Sequence, residues 1–206
     1  MAAFIVFEGI DGSGKSTQAR ALYRRLVRRE YPALLTHEPG GTPLGESLRR
    51  WVKRRRGLYP LTELYLFNAA RAQLVEQIIR PALHEGVTVV ADRYVASTVA
   101  YQGYGRGVDL ALVQQANQGA AGGLSPDLTV FLDVPPEIGM VRKGERTRDN
   151  FDAAPVEFYR KVRQGYLDQA SQAQDNERGP DWLILDGSRS RAQLAEEIWA
   201  KVQPLL

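Results

Sequence analysis

Short runs of apolar residues alternate along the chain with longer stretches in which apolar residues recur every three or four positions. The short runs predict β-strands, and they lie at 3–7, 33–36, 87–91, 128–132 and 182–185. The longer stretches predict helices, and they lie at 15–29, 61–79, 110–120, 155–174 and 191–202. The apolar face of the first helix is expected to hold Ala19, Leu22, Leu26 and Val27. Pro81 is expected to follow the end of the second helix, because proline interrupts the hydrogen-bond ladder.

The alternation of strands and helices predicts a three-layer α/β/α fold with a five-stranded parallel sheet. Parallel neighbours need crossover connections, which are right-handed and place helices on both faces of the sheet. The strands are continuous apolar runs, as expected when both faces are covered. A chain of 206 residues is long enough for one such domain, which we expect to span 1–206. In such sheets, ligands bind beyond the carboxyl ends of the strands.

A glycine-rich motif follows the first predicted strand and opens the first predicted helix. It matches G-x-x-x-x-G-K-[ST] and comprises Gly9, Ile10, Asp11, Gly12, Ser13, Gly14, Lys15 and Ser16. Its glycines let backbone N–H groups wrap closely around phosphate at a helix N-terminus. Lys15 is the expected contact of the β- and γ-phosphates, and the Ser16 hydroxyl is the expected Mg²⁺ ligand. Thr17 belongs to the same nucleotide-binding segment, with local packing as its alternative role. The motif therefore predicts a P-loop NTPase fold that binds a nucleoside triphosphate.

A charged pair, Asp92 and Arg93, follows the third predicted strand. Both residues are expected to face the same crevice as the P-loop, since the carboxyl ends of parallel strands share one edge of the sheet. Asp92 is suited to hold Mg²⁺ through water, and Arg93 is suited to clamp a phosphate through two parallel hydrogen bonds. The alternative is an ion pair that only closes the end of the strand.

Composition narrows the function classes further. The formal net charge is +3, which suits an anionic ligand, and the one tight basic run, 53–56, is expected to be a solvated helix end or loop. The chain has no cysteine, so disulfides, thiolate metal sites and thiol catalysis are excluded, and its two histidines are too few for a histidine-rich metal site. No apolar run reaches 18 residues, and the predicted compartment is the cytoplasm.

Four segments resemble thymidylate kinases. The segment 92–103, DRYVASTVAYQG, is similar to the signature of that family, and three others agree with it in order and spacing: FEGIDG at 7–12, EPGGTPLGE at 38–46 and LFNAAR at 66–71. The resemblance extends from about residue 4 to the C-terminus. It implies a nucleoside monophosphate kinase fold, a homodimer, and transfer of phosphate from ATP to dTMP with Mg²⁺, a step of dTTP biosynthesis.

The resemblance also implies which residues bind the base. Phe67 would stack on thymine, and Arg71, one helical turn later, would donate to a base carbonyl. A donor there suits the O4 of thymine but opposes the amino group of cytosine. Thr98 and Gln102 would hydrogen-bond the base edge, and Tyr101 would pack against the sugar and disfavour a ribose 2′-hydroxyl. The alternatives are ordinary core for Phe67 and a polar helix surface for Thr98 and Gln102.

The acceptor phosphate has its own implied contacts. Arg49 and Arg93 would hold this phosphate. Asp11, inside the P-loop, would lie near the sugar 3′-hydroxyl and the water shell of the metal. Glu38 is expected to face the same pocket.

A charged segment at 142–153 lacks an apolar period and resembles the lid that closes over ATP. In one branch of the family a basic residue of the P-loop meets the γ-phosphate, whereas in the other the lid supplies it. The P-loop position here is Gly12, so the chain resembles the bacterial type, and Arg146 is the expected lid residue. Arg142 is expected to pack on adenine, near a second adenine-side loop that contains Arg189.

The acceptor's phosphate oxygen is already ionised near neutral pH, since the second pKa of a phosphate monoester is about 6. No general base is therefore required, and catalysis depends on positioning and charge neutralisation by Lys15, Arg93, Mg²⁺ and a lid arginine. Two alternatives stay open on sequence alone. A deoxynucleoside kinase would need a general base and leave Arg49 without a phosphate, and a nucleic-acid-binding ATPase would use the basic run 53–56.

Overall fold

A five-stranded parallel sheet organises the fold, in the order β2-β3-β1-β4-β5. The computed structural model describes residues 2–54, 57–143, 155–174 and 181–206. The strands are β1 (Phe4–Glu8), β2 (Ala33–His37), β3 (Thr88–Asp92), β4 (Leu128–Asp133) and β5 (Asp181–Asp186). The predicted parallel sheet and all five predicted strands are confirmed, with ends that differ by about one residue.

Helices cover both faces of the sheet. They are α1 (Lys15–Arg28), α2 (Pro43–Arg54), α3 (Pro60–Leu74), α4 (Arg80–His84), α5 (Val95–Thr98), α6 (Leu110–Ala121), α7 (Pro136–Lys143), α8 (Val156–Gln174) and α9 (Arg191–Val202). Two π-helical segments, Val75–Ile79 and Val99–Gly105, continue α3 and α5, and a short 3₁₀ turn, Gln203–Leu205, follows α9. None of the helices in the described ranges is long and apolar enough to cross a bilayer.

Two details of the helix prediction are wrong. The chain remains helical past Pro81, because this proline lies in the first turn of α4, directly after the π-helical turn that interrupts the regular ladder. Val27 does not join the buried face of α1, since 48% of it is exposed while Leu26 is fully buried. The basic run begins in the last turn of α2, as expected for a helix end, and its residues 55 and 56 lie outside the described ones.

The core has a layer on each side of the sheet because successive strand residues point to opposite faces. On one side, Ile5 and Phe7 of β1 pack with α1 and α9, where Leu22 and Trp199 are buried. On the other side, Phe4 and Val6 join residues of α3 and the following π-helical segment, and a neighbouring cluster centres on α8. The three-layer α/β/α prediction is therefore confirmed.

The sheet order places two strand ends side by side at the carboxyl edge. In the β1–β3 register, Phe7 lies opposite Asp92, and the Arg93 N–H donates to the Phe7 carbonyl over 3.0 Å. The P-loop after β1 and the Asp92–Arg93 pair after β3 consequently open into the same crevice, as the sequence predicts.

Candidate active site

The P-loop joins β1 to the N-terminus of α1 through a chain of unusual backbone angles. Gly9, Gly12 and Gly14 have φ values of 141°, 78° and 98°, which side chains with a Cβ rarely adopt. The Lys15 ammonium group folds back over the loop, 3.4 Å from the Ile10 carbonyl and 3.5 Å from an Asp11 carboxylate oxygen. Burial lowers the pKa of Lys15, and the nearby charge of Arg93 acts in the same direction. The loop thus holds a buried cation beside a free helix N-terminus, an arrangement that favours phosphate.

The tip of the P-loop packs directly against the backbone of α7. A Cβ on Gly12 would lie 2.0 Å from the Gly139 carbonyl oxygen, and a Cβ on Gly139 would lie 2.6 Å from the Asp11 carbonyl oxygen. The two elements approach this closely only because both contact positions are glycine. A basic side chain at position 12 is therefore sterically excluded in this arrangement, which gives a physical reason for the glycine that the sequence shows there.

A cleft of about 360 Å³ opens between the P-loop, the end of β2 and the end of β3. It is lined by Asp11, Lys15, Ser16, Ala19, Arg20, Leu35, Thr36, His37, Glu38, Arg49, Asp92 and Arg93. The structure therefore brings together the residues expected at the metal and at the acceptor phosphate, although their roles stay predictions. Arg49 lies on α2 and reaches the cleft from there. Its Nη1 donates to the Pro39 carbonyl over 3.0 Å.

Arg93 is held in a strained backbone conformation by several side-chain contacts. Its φ is +79°, in the left-handed region that non-glycine residues seldom adopt. Its guanidinium donates to Asp11 over 2.7 Å and to the Ser97 hydroxyl over 2.9 Å, and it reaches the phenol oxygens of Tyr101 and Tyr166 at 3.1 Å each. Burial opposes the Arg93 charge, but the surrounding phenols and carboxylates raise its pKa well above the usual value. The cation at the cleft is thus fixed in position and permanently charged.

Glu8 lies beneath Arg93 and was not identified from the sequence. Its side chain is fully buried and accepts hydrogen bonds from the N–H groups of Tyr94 and Ser97, at 2.8 and 3.2 Å. It also accepts from the Ser97 hydroxyl over 2.6 Å and the Tyr166 phenol over 2.9 Å. Burial raises the pKa of Glu8, while the charge of Arg93 opposes that rise. The available signal was an acidic residue at the end of an apolar strand, directly before the glycine-rich loop.

The residues expected to bind Mg²⁺ fit a cation. Asp92 Oδ1 is buried and has no hydrogen-bond partner in the described part of the chain. Asp92 and Ser16 both line the cleft beside Lys15. Because a carboxylate oxygen without a partner is costly to bury, such an oxygen in the cleft beside the P-loop is suited to a cation or its water shell.

Arg71 differs from the free donor that the resemblance suggested. Its guanidinium is 2% exposed, and its N–H groups donate to partners on four elements or their connections. The acceptors are the Glu38 carboxylate, Asn68 Oδ1, Asn117 Oδ1, the Tyr94 carbonyl and Thr98 Oγ1, at 2.6 to 3.2 Å. Burial raises the pKa of Glu38, against the lowering effect of the Arg71 charge. The guanidinium is fully committed here, so its donation to a base remains a prediction that requires one of these bonds to be exchanged.

The other residues expected at the base lie on two packed elements. Phe67, partly buried, is on α3 between Glu63 and Arg71, while Thr98 and Gln102 are on the facing α5 and its π-helical continuation. Glu63 of α3 accepts a 2.6 Å hydrogen bond from Gln102, a contact that sequence patterns did not reveal. Burial raises the pKa of the Tyr101 phenol. The phenol oxygen accepts a hydrogen bond from Arg93.

The expected adenine side is described only in part. Arg142, in the last turn of α7, donates to the Gly187 carbonyl over 2.7 Å, which joins the two segments expected there. Arg189 pairs with Glu197 of α9 at 2.6 Å, so its guanidinium is directed toward that helix. Arg146 and the lid residues 144–153 lie outside the described residues.

Comparison with known proteins identifies the family. The model of the thymidylate kinase family matches residues 7–198, which is most of the chain. The chain belongs to the thymidylate kinase family.

Individual members of the family resemble the chain over nearly its whole length. A thymidylate kinase of Roseiflexus castenholzii is 47% identical, over 100% of this chain and 95% of that protein. One from Dehalococcoides mccartyi is 44% identical, over 100% of this chain and 98% of the relative. The crystal structure of an Ehrlichia chaffeensis thymidylate kinase superimposes with a TM-score of 0.78, at 33% identity and 98% coverage of both chains. The family resemblance and the P-loop fold that the sequence suggested are therefore confirmed.

Replacing Gly12 with alanine tests the contact between the P-loop and α7. The new Cβ cannot coexist with the Gly139 carbonyl oxygen, so the loop must shift. A displacement of about 1 Å in a phosphate-positioning loop should lower kcat/KM for ATP by about a hundredfold. Steady-state kinetics at varied ATP concentration measure this change.

Gly86→Ala provides the matched control. Gly86 has the same φ of 78°, but no atom of the described residues lies within 4 Å of a Cβ there. It should lose about 1 kcal/mol of stability from backbone strain and keep normal kinetics. Equal kinetic effects of the two substitutions would show that the contact between Gly12 and Gly139 does not affect kcat/KM for ATP.

Proposed function

We propose that the chain transfers the γ-phosphoryl group of ATP to the phosphate of dTMP, giving ADP and dTDP as a step of dTTP biosynthesis. Membership of the thymidylate kinase family makes the chain a phosphotransferase, and ATP-dependent phosphorylation of dTMP is the activity of that family. The structural observation that supports it best is the cleft where Lys15 meets Arg93 and Arg49. In this proposal the donor and acceptor phosphates share that cleft and are held by the cations of Lys15, Arg49 and Arg93.

The chemistry needs positioning more than proton transfer. The acceptor oxygen carries no proton near neutral pH, since the second pKa of a phosphate monoester is about 6. Lys15 would neutralise the β- and γ-phosphates, while Arg49 and Arg93 would hold the acceptor phosphate in line with them. Because Asp11 and two tyrosines fix the Arg93 guanidinium before substrate arrives, little reorganisation is required at the moment of transfer.

Mg²⁺ is the cation we propose for this site. Ser16 would hold it through its hydroxyl. Asp92 would hold it through water, with the buried oxygen that has no hydrogen-bond partner among the described residues. When bound, Mg²⁺ would neutralise negative charge on the phosphates of ATP. Asp11, which lies between Lys15 and Arg93, would face the metal's water shell and the sugar 3′-hydroxyl.

The base would lie against α3. Phe67 would stack on thymine, while Arg71, Thr98 and Gln102 would contact its polar edge. Tyr101, packed against the Arg93 guanidinium with 4.8 Å between its ring centre and the guanidinium carbon, would lie beside the sugar. Glu38 would stabilise this arrangement through its buried ion pair with Arg71.

The remaining roles belong to the nucleotide side. We propose one kinase domain over 1–206, with a lid at about 142–153 whose Arg146 approaches the transferred phosphate. Gly12 supports this assignment, because its contact with α7 leaves no room for a basic side chain in the P-loop itself. Arg142, Arg189 and the P-loop from Gly9 to Thr17 would hold ATP.

We propose a homodimer that forms through the outer face of α3. This helix exposes Leu61 by 42% and Tyr65 by 51%, and Tyr59 just before it is 81% exposed. Adjacent apolar side chains of this size are uncommon on a surface that has no partner.

Light scattering should therefore give twice the chain mass of 23.0 kDa. Tyr65→Glu should shift the mass toward the monomer, whereas Tyr31→Glu, on an exposed site after α1, should not; a monomeric parent protein would contradict the proposal.

The proposed compartment is the cytoplasm, where dTMP and ATP are both present as free metabolites. Neither a nucleic acid nor a membrane is needed for the reaction. Cell fractionation that recovers the enzyme with membranes or nucleic acid would contradict this placement.

A panel of nucleotide acceptors tests the activity most sharply. With ATP and Mg²⁺, the chain should phosphorylate dTMP in strong preference to dCMP, and it should leave thymidine, which lacks a phosphate for Arg49 and Arg93, unreacted. Chelation of Mg²⁺ should abolish turnover.

Lys15→Ala and Arg93→Ala should each lower kcat by about a hundredfold or more, since each removes a charge aimed at the transferred group. Coupled detection of ADP measures every case.

Arg20→Ala serves as the control substitution, because Arg20 lines the same cleft from an exposed position on α1 without a proposed role. It should leave kcat close to that of the parent. Thymidine phosphorylation without dTMP phosphorylation would favour a deoxynucleoside kinase. Normal turnover by Lys15→Ala or Arg93→Ala would refute the assigned roles.

A further inference from the structure

Two buried polar contacts bracket Phe67 on the face of α3 that meets α5 and its π-helical continuation. Glu63, Phe67 and Arg71 are spaced four residues apart, so they form one stripe along α3. Glu63 contacts Gln102 at one end of the stripe, and Arg71 contacts Thr98 at the other, each over 2.6 Å. A planar base stacked on Phe67 would therefore present its edge to both pairs.

The contact with Glu63 fixes which way the Gln102 amide points. An ionised carboxylate can only accept hydrogen bonds, so the amide atom that faces Glu63 must be the Nε2 donor. The Arg106 guanidinium lies 3.5 Å from both Glu63 oxygens, so the groups that face this carboxylate are donors. Glu63 and Gln102 are 3% and 1% exposed, so water does not compete for this bond. The Gln102 carbonyl oxygen must then point away from Glu63.

Thr98 has its polarity fixed in the same way at the other end. Its Oγ1 accepts a hydrogen bond from Arg71 Nη2, and a hydroxyl that accepts from an arginine keeps its own proton to donate elsewhere. The two side chains that face the stripe are thus a donor at Thr98 and an acceptor at Gln102. This order matches the O4 acceptor and N3–H donor of thymine.

We propose that Glu63 is a positioning residue for base selection: it holds the Gln102 amide so that Oε1 accepts a hydrogen bond from the N3–H of thymine. The proposal rests on the proposed function, in which Gln102 contacts the base of dTMP. Glu63 itself does not touch the substrate. Its effect is to exclude the flipped amide, which would present a donor to the base.

Cytosine is disfavoured by this arrangement because its N3 is an acceptor. Placed opposite Gln102 Oε1, it would bring two acceptors together and leave both unpaired in a buried site. A shift of the ring could bring its 4-amino group to Oε1 instead. That shift is opposed by Arg49 and Arg93, which would anchor the phosphate at the other end of the nucleotide.

Glu63→Gln tests the proposal directly. The substituted amide can offer either its oxygen or its NH₂ group, so Gln102 can flip and present a donor to the base. The ratio of kcat/KM for dTMP to that for dCMP should fall by about tenfold or more, through a loss with dTMP and a gain with dCMP. Glu76→Gln is the matched control, since Glu76 follows on the same helical stretch but is exposed and paired with the exposed Arg80. It should leave the ratio unchanged.

Exchanging the two residues should restore selectivity. In the double variant Glu63→Gln, Gln102→Glu, the amide at 63 donates to the carboxylate at 102, whose second oxygen is again an acceptor toward N3–H. The dTMP-to-dCMP ratio should return to within about threefold of the parent. A purely structural role for Glu63 predicts instead that turnover of both substrates falls together, with the ratio preserved.

The outcomes separate this proposal from the function on which it rests. If the parent fails to prefer dTMP over dCMP, the proposed function fails. If the parent discriminates and folded Glu63→Gln keeps the same ratio, the role of Glu63 is refuted. Thermal melting identifies a variant that does not fold. If Glu63→Gln does not fold, Glu63→Asp takes its place, because aspartate keeps the charge but moves it back by one methylene. It should shift the ratio in the same direction, and an unchanged ratio would overturn the proposal.

Discussion

The buried carboxylate of Glu8 connects the two halves of the proposed phosphate site. It ends β1, directly before the P-loop, and accepts hydrogen bonds from the backbone of Tyr94 and Ser97 at the start of α5. Those N–H groups lie at the N-terminus of a helix, where the Ser97 N–H also donates to the Tyr94 carbonyl over 3.1 Å, so Glu8 caps α5 from a neighbouring strand. Removing one partner of such a buried group typically costs about 1–3 kcal/mol. The P-loop and the segment 93–97, where we propose that the acceptor phosphate binds, are therefore held in one fixed relation.

Arg93 depends on that relation. It lies between the end of β3 and α5, where the chain turns through a left-handed residue. Ser97 and Tyr166, which both bond to Glu8, also contact the Arg93 guanidinium, while Asp11 reaches it from the P-loop. A strained backbone and a buried cation persist here because several elements determine them together. The result is a positive charge held in place at the cleft, as the proposed positioning of the acceptor phosphate requires.

Local patterns made most of the fold predictable. The strands are uninterrupted apolar runs, and the P-loop needs only glycines, Lys15 and a following helix, all within a short segment. The Asp92–Arg93 pair was placed correctly because parallel strands share a carboxyl edge. The continuation of the helix past Pro81 was not predicted, because no sequence pattern indicated the π-helical segment that precedes it.

Contacts between distant residues could not be predicted in the same way. Arg71 donates hydrogen bonds to Glu38 and Asn117, which are 33 and 46 residues away along the chain. The close approach of Gly12 to Gly139 depends on how α7 packs against the P-loop. Glu63 reads as an ordinary acidic residue in the first turn of an exposed helix, and only the fold shows that it is buried against Gln102. The family resemblance named residues for the base but not the groups that orient them.

The most direct test of this account is the kinetics of Glu8→Gln. The amide preserves the volume of the side chain but places an NH₂ donor among groups that already donate to Glu8. If Glu8 sets the position of Arg93, the variant should show a higher KM for dTMP and a lower kcat, while the KM for ATP changes little. A folded variant with unchanged KM for dTMP and unchanged kcat would contradict the view that this carboxylate holds the acceptor site in place.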